Sequence, residues 1–418
     1  MPRGGDPTEP PPAKSPMLSS PTTTINSLGE DLLLEIFLRL PSLATLVRAA
    51  LTCRPWRRAV ASSPAFRRRF RELHPAPLLG LIVEPKPDAL PAFSPAQCRD
   101  RDVLAAIRCG DFAFTPLLDP EDHARNAPLR WRIQDCRGGY LLLMNWDASL
   151  LAAINPLVPG SAEYFEMPFN TESPAEHPDQ RPVSLDVHLL SSDEDPMQFQ
   201  LVWLLYEKSR VQALVFSSDT GDWYFLPWVE IEERAPPHDA GQYWLRSGWQ
   251  ANGALYWPFK NQEHMLKLDT ETMKFSVSEL PPYLKGQQGC HFVVGETRNG
   301  SLCIVYCTGL SIGVLMNIVD DDGVERWVLS GMVHYEAEAD LPVNNRIMQV
   351  VAIEDGFVYL ATSEMVLVLC LETMKLEKLF PRSFRSDHFH PYVMAWPTSL
   401  LGNYGSFVMI QDGANDVN

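Results

Sequence analysis

Residues 218–225 read Ser218-Asp219-Thr220-Gly221-Asp222-Trp223-Tyr224-Phe225, and fifty positions later comes Leu268-Asp269-Thr270-Glu271-Thr272-Met273-Lys274-Phe275. Two more segments close in the same way, Asp321-Asp322-Gly323-Val324-Glu325-Arg326-Trp327 and Leu371-Glu372-Thr373-Met374-Lys375-Leu376. Their last aromatic or apolar residues fall at 225, 275, 327 and 376, spaced 50, 52 and 49 apart. Ile154-Asn155-Pro156 through Phe165 is an earlier copy, and the polar insertion 170–182 accounts for its longer gap of 60. Each copy also has an opening turn: Gly138-Gly139-Tyr140, Asn252-Gly253, Asn299-Gly300 or Asp355-Gly356. Asn-Gly and Asp-Gly between apolar runs specify two-residue hairpins, because both central residues need positive φ. One unit is therefore turn, strand, loop, strand, Asp-Thr-like turn, strand. A period near 50 with about four strands per unit predicts a β-propeller over residues 78–410, with six blades, or seven as the alternative count. A stack of β-sandwich domains is the alternative architecture.

The rest of the chain is organised around this region. Of 418 residues, 45% are apolar and the net charge is −17. That charge is unevenly placed: residues 25–74 carry nine Arg against four Asp/Glu, whereas residues 75–418 carry 24 Lys/Arg against 46 Asp/Glu. Nucleic acid is therefore not expected as a bulk electrostatic partner. The longest apolar runs reach about nine residues, against the roughly 20 needed to span a bilayer. The head MPRGGDPTEPPPAKSP has no apolar signal core. The expectation is a soluble protein of the cytoplasm or nucleus, without membrane contact. The eight cysteines are scattered without a Cys-x-x-Cys pair, as reduced and mostly buried thiols would be. Residues 1–24 hold seven prolines and few apolar side chains, so a disordered tail is expected there, with a second at 411–418.

Between the tail and the repeats lies a helical unit, residues 25–74. Ser27-Leu28-Gly29-Glu30 has capping-box spacing, and the apolar run Leu32 to Leu40 is stopped by Pro41. Ser42 opens a second helix, Pro55 a third, and Ser63-Pro64 fits an N-cap followed by proline at the first helical position. The first helix carries two apolar lines. Leu28, Leu32, Ile36 and Leu40 form one, at i,i+4, and Leu33 with Phe37 forms the other. A unit this small has too little interior to hide both. One line needs an external partner or the following domain; a small helical cap on that domain is the plainer reading.

The stretch Leu28-Gly29-Glu30-Asp31-Leu32-Leu33-Leu34-Glu35-Ile36-Phe37-Leu38-Arg39-Leu40-Pro41 resembles the first helix of an F-box. Leu43, Leu46-Val47-Arg48-Ala49-Ala50, Cys53-Arg54, Trp56-Arg57-Arg58 and Ser63-Pro64-Ala65-Phe66 continue the resemblance in order. Gly29 stands where F-boxes commonly have proline. The Pro-rich head and the repeat region resemble the large plant F-box families, particularly those of grasses, and the propeller is similar to kelch-like or F-box-associated propellers. The fold implied is α+β multidomain, a small helical F-box before an all-β propeller.

The resemblance implies docking on a Skp-family adaptor, and through it a place in an SCF-type cullin-RING ubiquitin ligase. The propeller would hold an unknown substrate protein, and the chain itself would have no catalytic residue, cofactor or metal. Leu28, Leu32, Ile36, Leu40, Leu46, Val47, Leu51 and Trp56 would carry adaptor binding or the fold that presents it. A scaffold acting outside the ligase and a propeller enzyme are the competing functions.

Other motifs carry less. Gly309-Leu310-Ser311-Ile312-Gly313 matches a nucleophile elbow, but strand-like residues flank it on both sides where the elbow needs a following helix. His388 and His390 beside Asp387 lack a third metal ligand at fixed spacing. Asp193-Glu194-Asp195 and Asp320-Asp321-Asp322 lack calcium-loop spacing. Cys303 and Cys307 share one strand face and should be packed. The run Arg67-Arg68-Arg69 with Arg71 reads as a helix face that docks on the acidic propeller. Among the tryptophans, Trp228 and Trp244 lie in irregular segments and are the candidates for substrate contact.

Overall fold

The computed structural model describes residues 29–401 apart from 85–88, 118–129, 159, 169–181, 192–197, 208, 232–243, 287–289, 321, 337–347, 383–388 and 398–399. The expected terminal tails, Ser27, Leu28, the insertion 170–182 save Pro182, Asp387, His388 and the acidic trio at 193–195 lie outside the described residues.

The first helix, α1 (Glu30–Leu38), starts with Gly29 at the N-cap and no side-chain cap. The capping box expected from Ser27 is thus not what begins it. Glu30 instead accepts a hydrogen bond from Ser62 Oγ at 3.4 Å, and Glu30 and Asp31 put negative charge at the helix's positive end. α2 (Leu43–Ala50) is capped by Ser42, whose Oγ accepts from Thr45 N–H at 3.2 Å. α3 (Arg54–Ala61) has Pro55 in its first turn, and α4 (Pro64–Leu73) is capped by Ser63 Oγ on Phe66 N–H at 3.3 Å. Their core joins Leu33, Phe37, Leu43, Leu46, Val60, Phe66 and Phe70.

The chain then forms β1 (Leu78–Val83) and β2 (Ala92–Pro95), followed by α5 (Arg101–Cys109). This helix departs from the all-β expectation after residue 78. Asp100 caps it, accepting from Asp102 and Val103 N–H at 2.8 and 3.2 Å, and it packs Val103, Ala106 and Ile107 into the core around β1.

Four-stranded antiparallel sheets follow. Blade 1 is β3 (Trp131–Arg137), β4 (Tyr140–Asn145), β5 (Leu150–Ile154) and β6 (Ala162–Glu166). Blade 2 is β7 (Val183–Ser191), β8 (Phe199–Tyr206), β9 (Arg210–Ser217) and β10 (Asp222–Phe225), with β11 (Val229–Glu230) also pairing on β9. Blade 3 is β12 (Trp249–Ala251), β13 (Ala254–Pro258), β14 (His264–Asp269) and β15 (Lys274–Glu279). Blade 4 is β16 (His291–Glu296), β17 (Leu302–Thr308), β18 (Ser311–Val319) and β19 (Glu325–His334). Blade 5 is β20 (Gln349–Glu354), β21 (Phe357–Ala361), β22 (Met365–Cys370) and β23 (Lys375–Pro381). The sixth sheet joins both ends of the domain, in the order β2-β1-β24, where β24 is Phe389–Val393. Among the described residues the propeller has six blades.

The repeat spacing is visible in these sheets. Phe165, Phe225, Phe275, Trp327 and Leu376 each lie on the outermost strand of their blade. The opening turns at Gly138–Gly139, Asn252–Gly253 and Asp355–Gly356 are hairpins with positive φ at both residues, as type I′ geometry requires. The two-residue hairpin expected at Asn299–Gly300 does not form: of that pair only Gly300 has positive φ, and residues 297–301 join β16 to β17. In blade 2, strand β8 sends Leu201, Trp203 and Leu205 to the core shared with blade 1, and Val202, Leu204 and Tyr206 to the core shared with blade 3. A strand buried on both faces has to be apolar at consecutive positions. Similar cores join each neighbouring pair around the ring, ending with Leu79, Ile82 and Tyr392 against Leu141 and Leu143.

Candidate functional site: an exposed helical face set on a propeller

The two apolar lines of α1 separate. Leu33 and Phe37 are buried, while Leu32 and Ile36, one turn apart, are 59% and 41% exposed. Leu51, at the end of α2, is also exposed. Leu40, Val47 and Trp56 are half-buried against the helical core, and Trp56 sets its ring edge-on to Phe37 at 5.6 Å. Leu46 is fully buried, so its part is to hold the fold. Leu32 and Ile36 thus set two large apolar side chains in water on one face of α1, at a cost that burial would relieve.

The arginine run is divided by the helical period. Arg67 points inward, its Nη1 donating to Ala61 O at 2.7 Å, and Arg69 pairs with Glu72 at 2.5 Å on the outside. Arg71 Nη2 donates to Met394 O at 2.7 Å, and its guanidinium lies 5.3 Å over Trp396. Arg68, Arg71 and Glu72 roof a polar cavity of about 810 Å³ over the mouth of the propeller channel, floored by the opening turns 138–139, 253 and 299–300. The helical unit therefore covers one end of the ring. Arg48 also pairs with Asp102 at the start of α5.

Inside the channel mouth, Arg137 of β3 and Glu354 of β20 pair at 3.4 Å. Burial pushes the Glu354 carboxyl up to about 7 in spite of the neighbouring guanidinium. Between blades 2 and 3, Asp186 accepts hydrogen bonds from Gly248 N–H at 2.7 Å and Trp257 Nε1–H at 2.8 Å. His188 Nε2 lies 3.4 Å from the same carboxylate, an ion-pair contact rather than a hydrogen bond. Burial alone would lower the histidine pKa, and Asp186 together with Asp135, 4.0 Å from Nδ1, outweighs it and raises it. For Asp186 burial is overcome by His188 and the two donors, and its pKa falls. These groups tie blades together at the axis.

The two tryptophans proposed for substrate contact differ in placement. Trp244 is 1% exposed, its indole N–H donates to Glu207 O at 2.7 Å, and its ring meets Tyr206 and Phe259 edge-on. It is a packing residue between blades, and its assignment to substrate is corrected. Trp228 is half-buried, with the Arg210 guanidinium 4.7 Å over its ring. The Gly309 to Gly313 motif is the tight turn from β17 to β18, with Ser311 cross-strand from His334, Oγ to Nδ1 3.1 Å. Among the described residues no group of three or more His, Cys, Asp or Glu is placed to hold a metal, and no helix is long and apolar enough to cross a membrane. Cys303 and Cys307 are buried and free.

Residues 132–400 match the family model described as F-box protein AT5G49610-like, beta-propeller, and residues 25–72 match the F-box-like model. The chain belongs to the AT5G49610-like F-box proteins. The kelch likeness is not part of that match. A small F-box before a β-propeller is the architecture of an F-box substrate receptor. No curated protein matches the chain. Solved structures similar to it include a protein from Lactobacillus plantarum, at 12% identity and TM-score 0.34 over 62% of this chain and 70% of that one. The Cps50 (Swd1) beta-propeller domain of Myceliophteria thermophila gives 12% and 0.34 over 61% and 75%. An oligogalacturonate lyase in complex with manganese gives 9% and 0.33 over 59% and 62%.

Residues 396 and 400 carried no sequence signal for the helical unit. Trp396 and Leu400 nonetheless complete its core, more than 300 positions from Phe70. A Trp and a Leu after the last repeat were the only hint available.

Proposed function

We propose that the chain is the substrate-recognition subunit of an SCF-type cullin-RING ubiquitin ligase, working in the cytoplasm or nucleus. The F-box docks on a Skp-family adaptor, and the propeller holds a target protein for ubiquitin transfer and degradation. The chain acts by proximity, raising the local concentration of target lysines near ubiquitin activated elsewhere, and needs no catalytic group of its own. The observation that carries this is the exposed Leu32 and Ile36 pair on an F-box helix whose other apolar line is buried.

The test is co-purification of the full-length protein with a Skp-family adaptor. Wild type should bind, and Leu32→Asp/Ile36→Asp should lose binding at least a hundredfold with the propeller still folded by near-UV circular dichroism. A folded wild type that captures no adaptor would refute the ligase role and leave the F-box as a scaffold element.

A further inference from the structure

Two apolar residues far from the F-box in sequence form part of its interior. β24 closes the ring, and the chain passes straight from Val393 into Met394, whose carbonyl holds Arg71 at 2.7 Å. Trp396 is 5% exposed and lies 5.9 Å from Phe70, ring to ring, while Leu400 is fully buried in the core that contains Leu33, Phe37 and Leu46. The other end of the unit is also tied down, by Ala76 N–H on Asp355 Oδ2 at 2.9 Å. Beneath the segment, a Cβ on Gly139 would meet the Ala395 Cβ at 2.4 Å, so the Ala395 methyl sits directly on the Gly139 backbone at this seam.

A helical unit of under 50 residues has a marginal core. This one takes a wall from the end of the propeller. Leu33 and Phe37, which pack into that shared core, sit on the same short helix as Leu32 and Ile36. Whatever loosens the inner line therefore disorders the outer one.

We propose that Met394, Trp396, Leu400 and Leu401 form a positioning element of the adaptor site: they complete the F-box core and so fix the geometry of Leu32 and Ile36. This rests on the adaptor reading above. A chain cut before residue 394, or one whose ring has not closed, would then carry an intact F-box sequence and no adaptor site, so that only fully folded receptors enter a ligase.

The experiment compares full-length wild type, Trp396→Ala/Leu400→Ala and Trp396→Phe by hydrogen–deuterium exchange and by adaptor titration. Among the described residues the buried Trp396 indole N–H has no acceptor, so phenylalanine keeps an aromatic ring beside Phe70 and removes that donor. In the double alanine variant, amides of α1–α4 should exchange at least tenfold faster and adaptor affinity should fall at least tenfold. Those of β4 and β8 should keep their rates, and Trp396→Phe should behave as wild type. Unchanged α1–α4 protection and affinity in the double variant would overturn the proposal. So would faster exchange spread evenly through every blade, since the segment would then support the whole fold and not the F-box. If wild type binds no adaptor while α1–α4 still loosen, the ligase reading fails and the dependence of the F-box on its C-terminal wall stands.

Discussion

Between Leu32 and Leu33 an α-helix turns by about 100°, which sends the first side chain into solvent and the second into the core with Phe70. Leu33→Ala should cost about 2–5 kcal/mol, the range for emptying a buried leucine site. Leu32→Ala should stay within about 0.5 kcal/mol while weakening adaptor binding. Hydrogen exchange of the α1 amides, set beside adaptor affinity, separates the two; equal loss of protection in both variants would contradict the assignment. Both lines of α1 were legible in the sequence because i,i+4 spacing is a local property. Trp244 was not, since a tryptophan in an aperiodic stretch carries no local sign of which way its ring turns. Arg67 is a similar case: carbonyls at the end of α3, Ala61 O at 2.7 Å and Val60 O at 3.4 Å, receive an arginine that is buried amid a basic run.

At the level of helices and strands, hairpin turns were the most readable features. Asn252-Gly253 and Asp355-Gly356 take positive φ at both residues, which few other pairs tolerate. α5 was missed because its nine residues are short against the strand pattern around them, although Asp100 supplies an ordinary N-cap. The link between blades 2 and 3 is a matter of register. β7 carries Asp186 to where Gly248 N–H, just before β12, and Trp257 Nε1–H of β13 are offered. Asp186→Ala should cost about 3 kcal/mol, as when one partner of a buried pair is removed. The lowered Asp186 pKa contributes stability present above its ordinary value of 3.8 and lost as pH falls through the folded value. The raised His188 pKa contributes stability present below 6.5 and lost as pH rises through the folded value. Melting temperatures of wild type and variant should therefore differ most between about pH 4 and 6.5; a pH-independent difference would exclude the ion pair.

Over the whole molecule, the basic helical unit and the acidic propeller share one core, with Trp396 and Leu400 as its seam. Removing residues 1–74 should leave a closed ring with that apolar seam exposed. Size-exclusion chromatography with light scattering should show association, and Trp396→Asp/Leu400→Asp in the shortened chain should restore the monomer. A monomeric shortened chain without those substitutions would show the seam to be covered in some other way. The period near 50, the hairpins, the four helices and the two-lined first helix are written in neighbouring residues, through backbone conformation and side-chain spacing, and a reader of the chain recovers them directly. Sheet closure by both chain ends, the outward choice of Leu32 and Ile36, and the C-terminal wall of the F-box depend on pairings across hundreds of residues. Such contacts form only when burial of one surface fixes the position of another, so no local pattern could have carried them.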